Sequence, residues 1–256
     1  MYPVVDKFLS FPTPVIVITA IALWSCVAVI VNILVVPILC GRDGKKLVKF
    51  EAEVTSQIAL AFGLLISFNA VWIWDRGDRV HAAVNDEAAA LTALLDDCEG
   101  LSDPARAKEI RKTVAVYTRS LIQTEWPKLS GKPFPVVRPI EITKLRELAK
   151  NSGDSNMVEA VKAAEKFRQV RIRDGMTYMS PSRWGVVFVL AILLLISIGA
   201  LHGGAPRGRK LALALVTLAI AFCFAVLIVH ARPFVGQMAL QPTELQAILV
   251  RAESTP

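Results

Sequence analysis

Charge is missing from four long stretches of this chain. Residues 14–39, 58–74, 184–201 and 211–231 contain no Asp, Glu, Lys or Arg, and the one histidine among them, His230, stands at the end of the last. A helix crossing the hydrocarbon core of a bilayer needs about 20 predominantly apolar residues, and each of these stretches is near that length. The composition agrees: 54% hydrophobic, 20% charged and a mean hydropathy of +0.50. A soluble domain is closer to about half apolar and a quarter charged. The apolar excess is confined to the four runs, which marks transmembrane spans rather than a large aqueous core. The lack of ionisable groups inside them weighs against coupled transport, whose proton and ion relays need such residues at depth.

Cysteine is equally sparse. Of Cys26, Cys40, Cys98 and Cys223, three lie in or at the ends of apolar runs. Cys98 is left alone in the polar part, and one thiol cannot close a disulfide within its own domain. The three histidines, His81, His202 and His230, are scattered, with no Cys or carboxylate at metal-ligand spacing, so no metal or cofactor is expected. Asp86 and Glu87 are adjacent, which turns them about 100° apart on a helix and prevents them from acting as a facing catalytic pair. A solvated face or a salt bridge is the expectation for both. No glycine-rich phosphate loop exists, since Gly203-Gly204 reads as a plain turn. These absences predict a protein that is not an enzyme. The formal charge of +7 comes from basic residues interleaved with acids, without a basic stripe carrying stacking aromatics, so nucleic acid is not an expected partner. The first run is too long, and too weakly preceded by positive charge, for a cleaved signal peptide, and is expected to remain.

The expected architecture is therefore all-α, a polytopic membrane protein with two transmembrane hairpins separated by an extended helical soluble domain. The N-terminal hairpin covers 1–74, the soluble domain 75–183, the second hairpin 184–231, and an amphipathic tail 232–256. Asn32 and Pro37 interrupt the first span, and a basic loop with Arg42, Lys45, Lys46 and Lys49 follows it. On the second span Ala59, Gly63, Ser67 and Ala70 form a face of small residues that would let a neighbouring helix approach. Asn69 lies off that stripe, as an interhelical hydrogen-bonding group or a pore-lining one. The i, i+3, i+4 rhythm of Val80, Val84, Ala88, Leu91, Leu95 and Cys98 predicts that this span continues into water as one helix, to stop near Gly100. Ser102-Asp103-Pro104 reads as a cap with proline in the first turn. The helix it opens carries Ile110, Val114, Tyr117 and Leu121 on one face. After a proline-rich loop at 131–139, helices are expected near 140–150 and 156–173. The tail around Leu245, Ile248 and Leu249 should pack on the bundle or lie at the interface.

The two short links hold seven basic residues, Arg42, Lys45, Lys46, Lys49, Arg207, Arg209 and Lys210. The positive-inside rule then places the links in the cytoplasm and the central domain outside, although Arg76, Arg79, Arg168, Arg171, Arg173 and Arg183 flank that domain too.

Several segments together resemble a bacterial membrane-protein family of unknown function described as bestrophin-like. LLISFNAVWIW running into RVHAAVNDEAAALTALL is similar to its second span and the helix after it, with Glu87 as the acidic residue. TEWP matches its Glu-Trp element at Glu125 and Trp126, and RQVRIRDG its arginine motif at Arg168 and Arg171. Pro181 and Trp184 fit the start of its third span, and ARPFVG, with Arg232, Pro233 and Phe234, the motif after the last. The family usually has an acid where Ala231 stands, so this chain departs from it there. True bestrophins are pentameric anion channels with the second transmembrane helix lining the pore and the domain between the hairpins in the cytoplasm. The resemblance thus implies a homo-oligomer in the inner cell membrane, with the lipid bilayer as its solvent. Its expected pore lining is Phe62, Leu65, Phe68 and Asn69. The competing expectation is a non-conducting sensor or scaffold whose helical domain binds a partner.

Overall fold

The structure, a computed structural model, describes residues 11–41, 51–131 and 134–254. Of the described residues 84% are helical, and none of them lies in a strand. Four helices are long and apolar enough to cross a membrane. The basic loop containing Arg42, Lys45, Lys46 and Lys49 lies outside the described residues.

The chain divides into two compact units. The first comprises 11–41, 51–74 and 178–231. Its first span, α1, is Thr13–Cys40. Pro14 in its opening turn costs no hydrogen bond, because the N–H groups there have no helical partner anyway. It ends at Gly41, whose φ of 75° suits glycine. Between them Val31–Val35 widens into a π turn, with the Val36 N–H reaching back to the Val31 carbonyl. Pro37 follows directly. A proline lacks its own N–H and crowds the carbonyl four residues back, and one wide turn absorbs that mismatch.

The second span is the first half of α2, Ala52–Glu99, a single helix of 48 residues. Gly77 does not break it, in line with a cost of only about 1 kcal/mol relative to Ala. The third and fourth spans follow a polar stretch of chain: α7 is Pro181–Leu201 and α8 is Pro206–His230. In this unit α8 packs against α1 and α7, and the end of α1 packs against α7. The closest approach is at Gly199, where an added Cβ would sit 2.6 Å from Val36 Cγ2. Trp24, Phe188 and Phe224 form an aromatic centre, with ring centroids 4.6–5.6 Å apart. The interruption at Asn32 is resolved by a basic residue of the second link: Arg209 Nε donates to Asn32 Oδ1 at 2.8 Å.

The second unit comprises 75–177 and 232–254. It contains the rest of α2, then α3 (Pro104–Ser120), α4 (Trp126–Leu129), α5 (Ile140–Ser152), α6 (Ser155–Met176) and, from beyond α8, α9 (Thr243–Ser254). Asp103 caps α3 by accepting from the N–H groups of Ala105 and Arg106, and Asp154 caps α6 by accepting from Asn156. Each such cap is worth about 1 kcal/mol. A second π turn, Leu121–Glu125, joins α3 to α4 and again stands just ahead of a proline, Pro127. The core is built from Leu91, Leu94, Ile110, Val114, Ile142, Leu145, Met157 and Val161. The C-terminal segment is part of it. Leu245 and Ile248 of α9 are buried in the same cluster, which takes about 1.5–3 kcal/mol per side chain from water.

A buried charge network as candidate functional site

Spacing on α6 starts the site. Arg168 and Arg171 are three residues apart and therefore share a face, and both are buried. Opposite them stand Glu87 from α2 and Glu125 from the π turn after α3. Arg171 Nε donates to Glu87 Oε2 at 2.7 Å and its Nη2 to Glu87 Oε1 at 3.3 Å. The same Nη2 donates to Glu125 Oε1 at 2.8 Å. Arg168 Nε donates to Glu125 Oε2 at 2.8 Å, and Arg168 Nη2 also reaches the Val137 carbonyl at 3.0 Å. Tyr117 of α3 donates its hydroxyl hydrogen to Glu87 Oε1 at 3.2 Å. Trp126, the first residue of α4, covers the Arg171 guanidinium, whose carbon lies 5.3 Å from the ring centroid.

Two carboxylates and two guanidiniums cancel, and that is the condition on which buried charges are tolerated. Burial disfavours a charged Arg171, but the carboxylates of Glu87 and Glu125 outweigh it and push its pKa up. The same burial pushes the Glu87 carboxyl up, with Arg171 pulling against it. Tyr117 is pushed well above an ordinary phenol, first by burial and then by the Glu87 carboxylate. The π turn is what makes the geometry possible. By inserting one residue into the turn it rotates Glu125 to face α6 while α4 continues.

A second set of contacts borders the network. Arg232 Nη2 donates to the carbonyls of Leu129 and Gly131, each at 3.3 Å. Phe234 meets Trp126 edge-on at 5.1 Å and lies against Gly175, where a side chain would collide with its ring. Trp126 Nε1 donates to the Leu240 carbonyl, and the Leu240 N–H returns to the Pro233 carbonyl. Asp174 accepts from Arg79 and Arg173. Of the residues singled out by motif, Glu87, Glu125, Trp126, Arg168, Arg171, Arg232, Pro233 and Phe234 thus converge in one unit. Pro181 and Trp184 do not join them: Pro181 opens α7, and Trp184 packs near Phe224 in the membrane unit at 6.1 Å. Tyr117 had signalled only a core position, and the site's need for a buried hydroxyl was invisible until Glu87 stood opposite. No group of three metal-ligating side chains forms among the described residues.

The membrane half of α2 turns a bulky face, not its small-residue one, toward the other spans of the chain. Its inward face is Phe62, Ile66, Asn69 and Ile73, all buried, and the three apolar ones lie in the core shared with the other spans. Phe62 is packed in the chain's own core, Asn69 borders a groove with Leu65, Phe68 and Trp72, Phe68 is exposed and Leu65 half-buried. Of the small-residue face, only Ala70 packs against the core of this unit. Ala59 and Ser67 are exposed, Gly63 and Ala70 are half-buried, and a Cβ at Gly63 would meet nothing within 4 Å. Bulky residues won the inward face because they fill the space between spans, which leaves the small ones turned about 100° away.

The scaffold and its four apolar helices define an all-α, multi-pass membrane protein. The bestrophin-like domain matches residues 19–245, and the chain belongs to the bestrophin-like family. No curated protein and no solved structure matches it.

Proposed function

We propose that this protein is an oligomeric ion channel of the cell membrane, passing anions, with the α2 helices of several copies around the pore. Family membership supports the class. The observation that carries the reading is the poor cover of α2 by its own chain. Only 22% of its apolar window is buried, against 28%, 44% and 39% for the other three spans. Its most outward stripe is Leu60, Leu64 and Val71, with Phe68 at the edge, all exposed. The small-residue face beside this stripe suits close approach of another copy. A ring of such helices would present an apolar constriction, a known form of gate. One chain of four spans is too thin to enclose a pore alone, so oligomerisation is part of the proposal. Arg232 adds basic charge on the domain's side of the spans. The two sides then carry comparable positive charge, and we follow the resemblance to true bestrophins in placing the helical unit in the cytoplasm.

Purified protein should form a ring by mass photometry in nanodiscs and conduct in planar bilayers. Leu64→Ala and Val71→Ala should change unitary conductance or rectification, while Phe62→Leu, on the inward face, should not. Silent bilayers containing a verified ring overturn the channel reading. A monomer would turn it toward a non-conducting sensor or scaffold.

A further inference from the structure

A groove of about 480 Å³ runs between the membrane half of α2 and the start of α7. We propose that it binds the phosphate of a membrane phospholipid, with a glycerol and acyl segment along its apolar wall. The inference goes beyond ion conduction and does not depend on it.

The first observation is Asn69. It is only 7% exposed, lines the groove, and its amide makes no hydrogen bond among the described residues. Its amide atoms are not among those sealed inside the protein, so they are open to a ligand in the groove. Asn32, in the same unit, has a partner in Arg209. Asn69 has the groove instead.

The second observation is the charge at the groove's other end. Arg183 is exposed and pairs with no carboxylate among the described residues. Its guanidinium carbon is held 5.4 Å from the centroid of the Trp72 ring, which fixes the fork without neutralising it. Ser182, beside it, adds a hydroxyl, 3.0 Å from that of Ser180. A guanidinium fork, a hydroxyl and an amide NH₂ are the donor set that a phosphodiester accepts from.

The third observation selects the source of the phosphate. Away from Arg183 the lining turns apolar, with Leu65, Phe68 and Val186, the last two exposed. Trp72 and Trp184 are the tryptophans expected at headgroup depth. A free anion gains nothing from such a wall, whereas a lipid satisfies donors and wall together. Basic pockets between membrane helices are suited to this use.

The test uses the full-length chain in detergent and native mass spectrometry, titrated with short-chain phosphatidylglycerol. Diacylglycerol of the same chain length and inorganic phosphate serve as comparison probes. Wild type should bind phosphatidylglycerol in preference to diacylglycerol. Arg183→Gln, an exposed change that leaves packing intact, should weaken binding about tenfold, the loss of one charge-assisted contact. Arg183→Lys should recover part of it, Asn69→Leu should weaken it several-fold, and Arg207→Gln in the far link should change nothing. Equal binding by wild type and Arg183→Gln overturns the proposal, as does equal binding of diacylglycerol. Inorganic phosphate that binds through Arg183 where the lipid does not would make this a free-anion site and refute the lipid assignment.

Discussion

Replacing Glu87 with glutamine preserves shape and removes one charge from a fully buried group. The four charges of the network then sum to +1. Arg171 keeps Glu125 at 2.8 Å and a neutral carbonyl where Glu87 had offered two charged oxygens. Breaking a buried ion pair costs about 3–5 kcal/mol, and the surviving contact sets this change at about 3 kcal/mol. Arg171→Met is more severe, because Glu87 is left with only the Tyr117 hydroxyl at 3.2 Å. About 4–5 kcal/mol is expected there. The double variant restores a net charge of zero, with Glu125 still paired to Arg168. Its cost should fall below the sum of the single costs by about 2–3 kcal/mol, the upper range of coupling between contacting residues. Denaturant unfolding in detergent, followed by far-ultraviolet circular dichroism, measures all four corners of the cycle. Additivity within about 0.5 kcal/mol, the behaviour of independent sites, would refute the idea that these two groups hold α2 to α6 as one unit.

Two more predictions follow from the same unit. Because the folded-state pKa of Tyr117 lies above that of an unfolded phenol, the folded protein keeps a proton that the unfolded chain releases; stability is therefore full below about pH 10 and falls as pH rises beyond it. In absorbance at 295 nm, one of the three tyrosines should ionise only with unfolding, and ordinary titration of all three in a folded protein would contradict this. Gly175→Ala drives a methyl group into the Phe234 ring and should cost about 1–3 kcal/mol. The melting temperature should fall by about 2–4 °C per kcal/mol, and Phe234→Leu in the same chain should restore part of it; no restoration would mean that the clash is not the cause.

Much of this architecture was legible because its causes are local. The four spans follow from hydropathy alone, since a helix in lipid closes its own backbone hydrogen bonds whatever its neighbours are. The continuity of α2 through Gly77 and the Asp103-Pro104 start of α3 follow from periodicity and capping. Motif resemblance picked out Glu87, Glu125, Trp126, Arg168 and Arg171 one by one. It did not show that they touch. Asp86 and Glu87 looked alike in the sequence, and only the packing of α6 makes Glu87 the buried partner of a residue 84 positions away.

The π turns were not foreseen, although each precedes a proline, because the choice between a kink and a wide turn depends on what lies beside the helix. The inward face of α2 could not be read for a related reason. Periodicity says which residues share a face, but neighbouring spans decide which face is inward, and Phe62, Ile66, Asn69 and Ile73 took that place over the small-residue stripe. Sequence by itself determined where this chain is helical and which helices suit lipid, because both are decided within one helix. The tertiary structure alone decided which charges meet, which face of α2 stays uncovered and where Asn69 is left without a partner, because each depends on side chains brought together from distant parts of the chain.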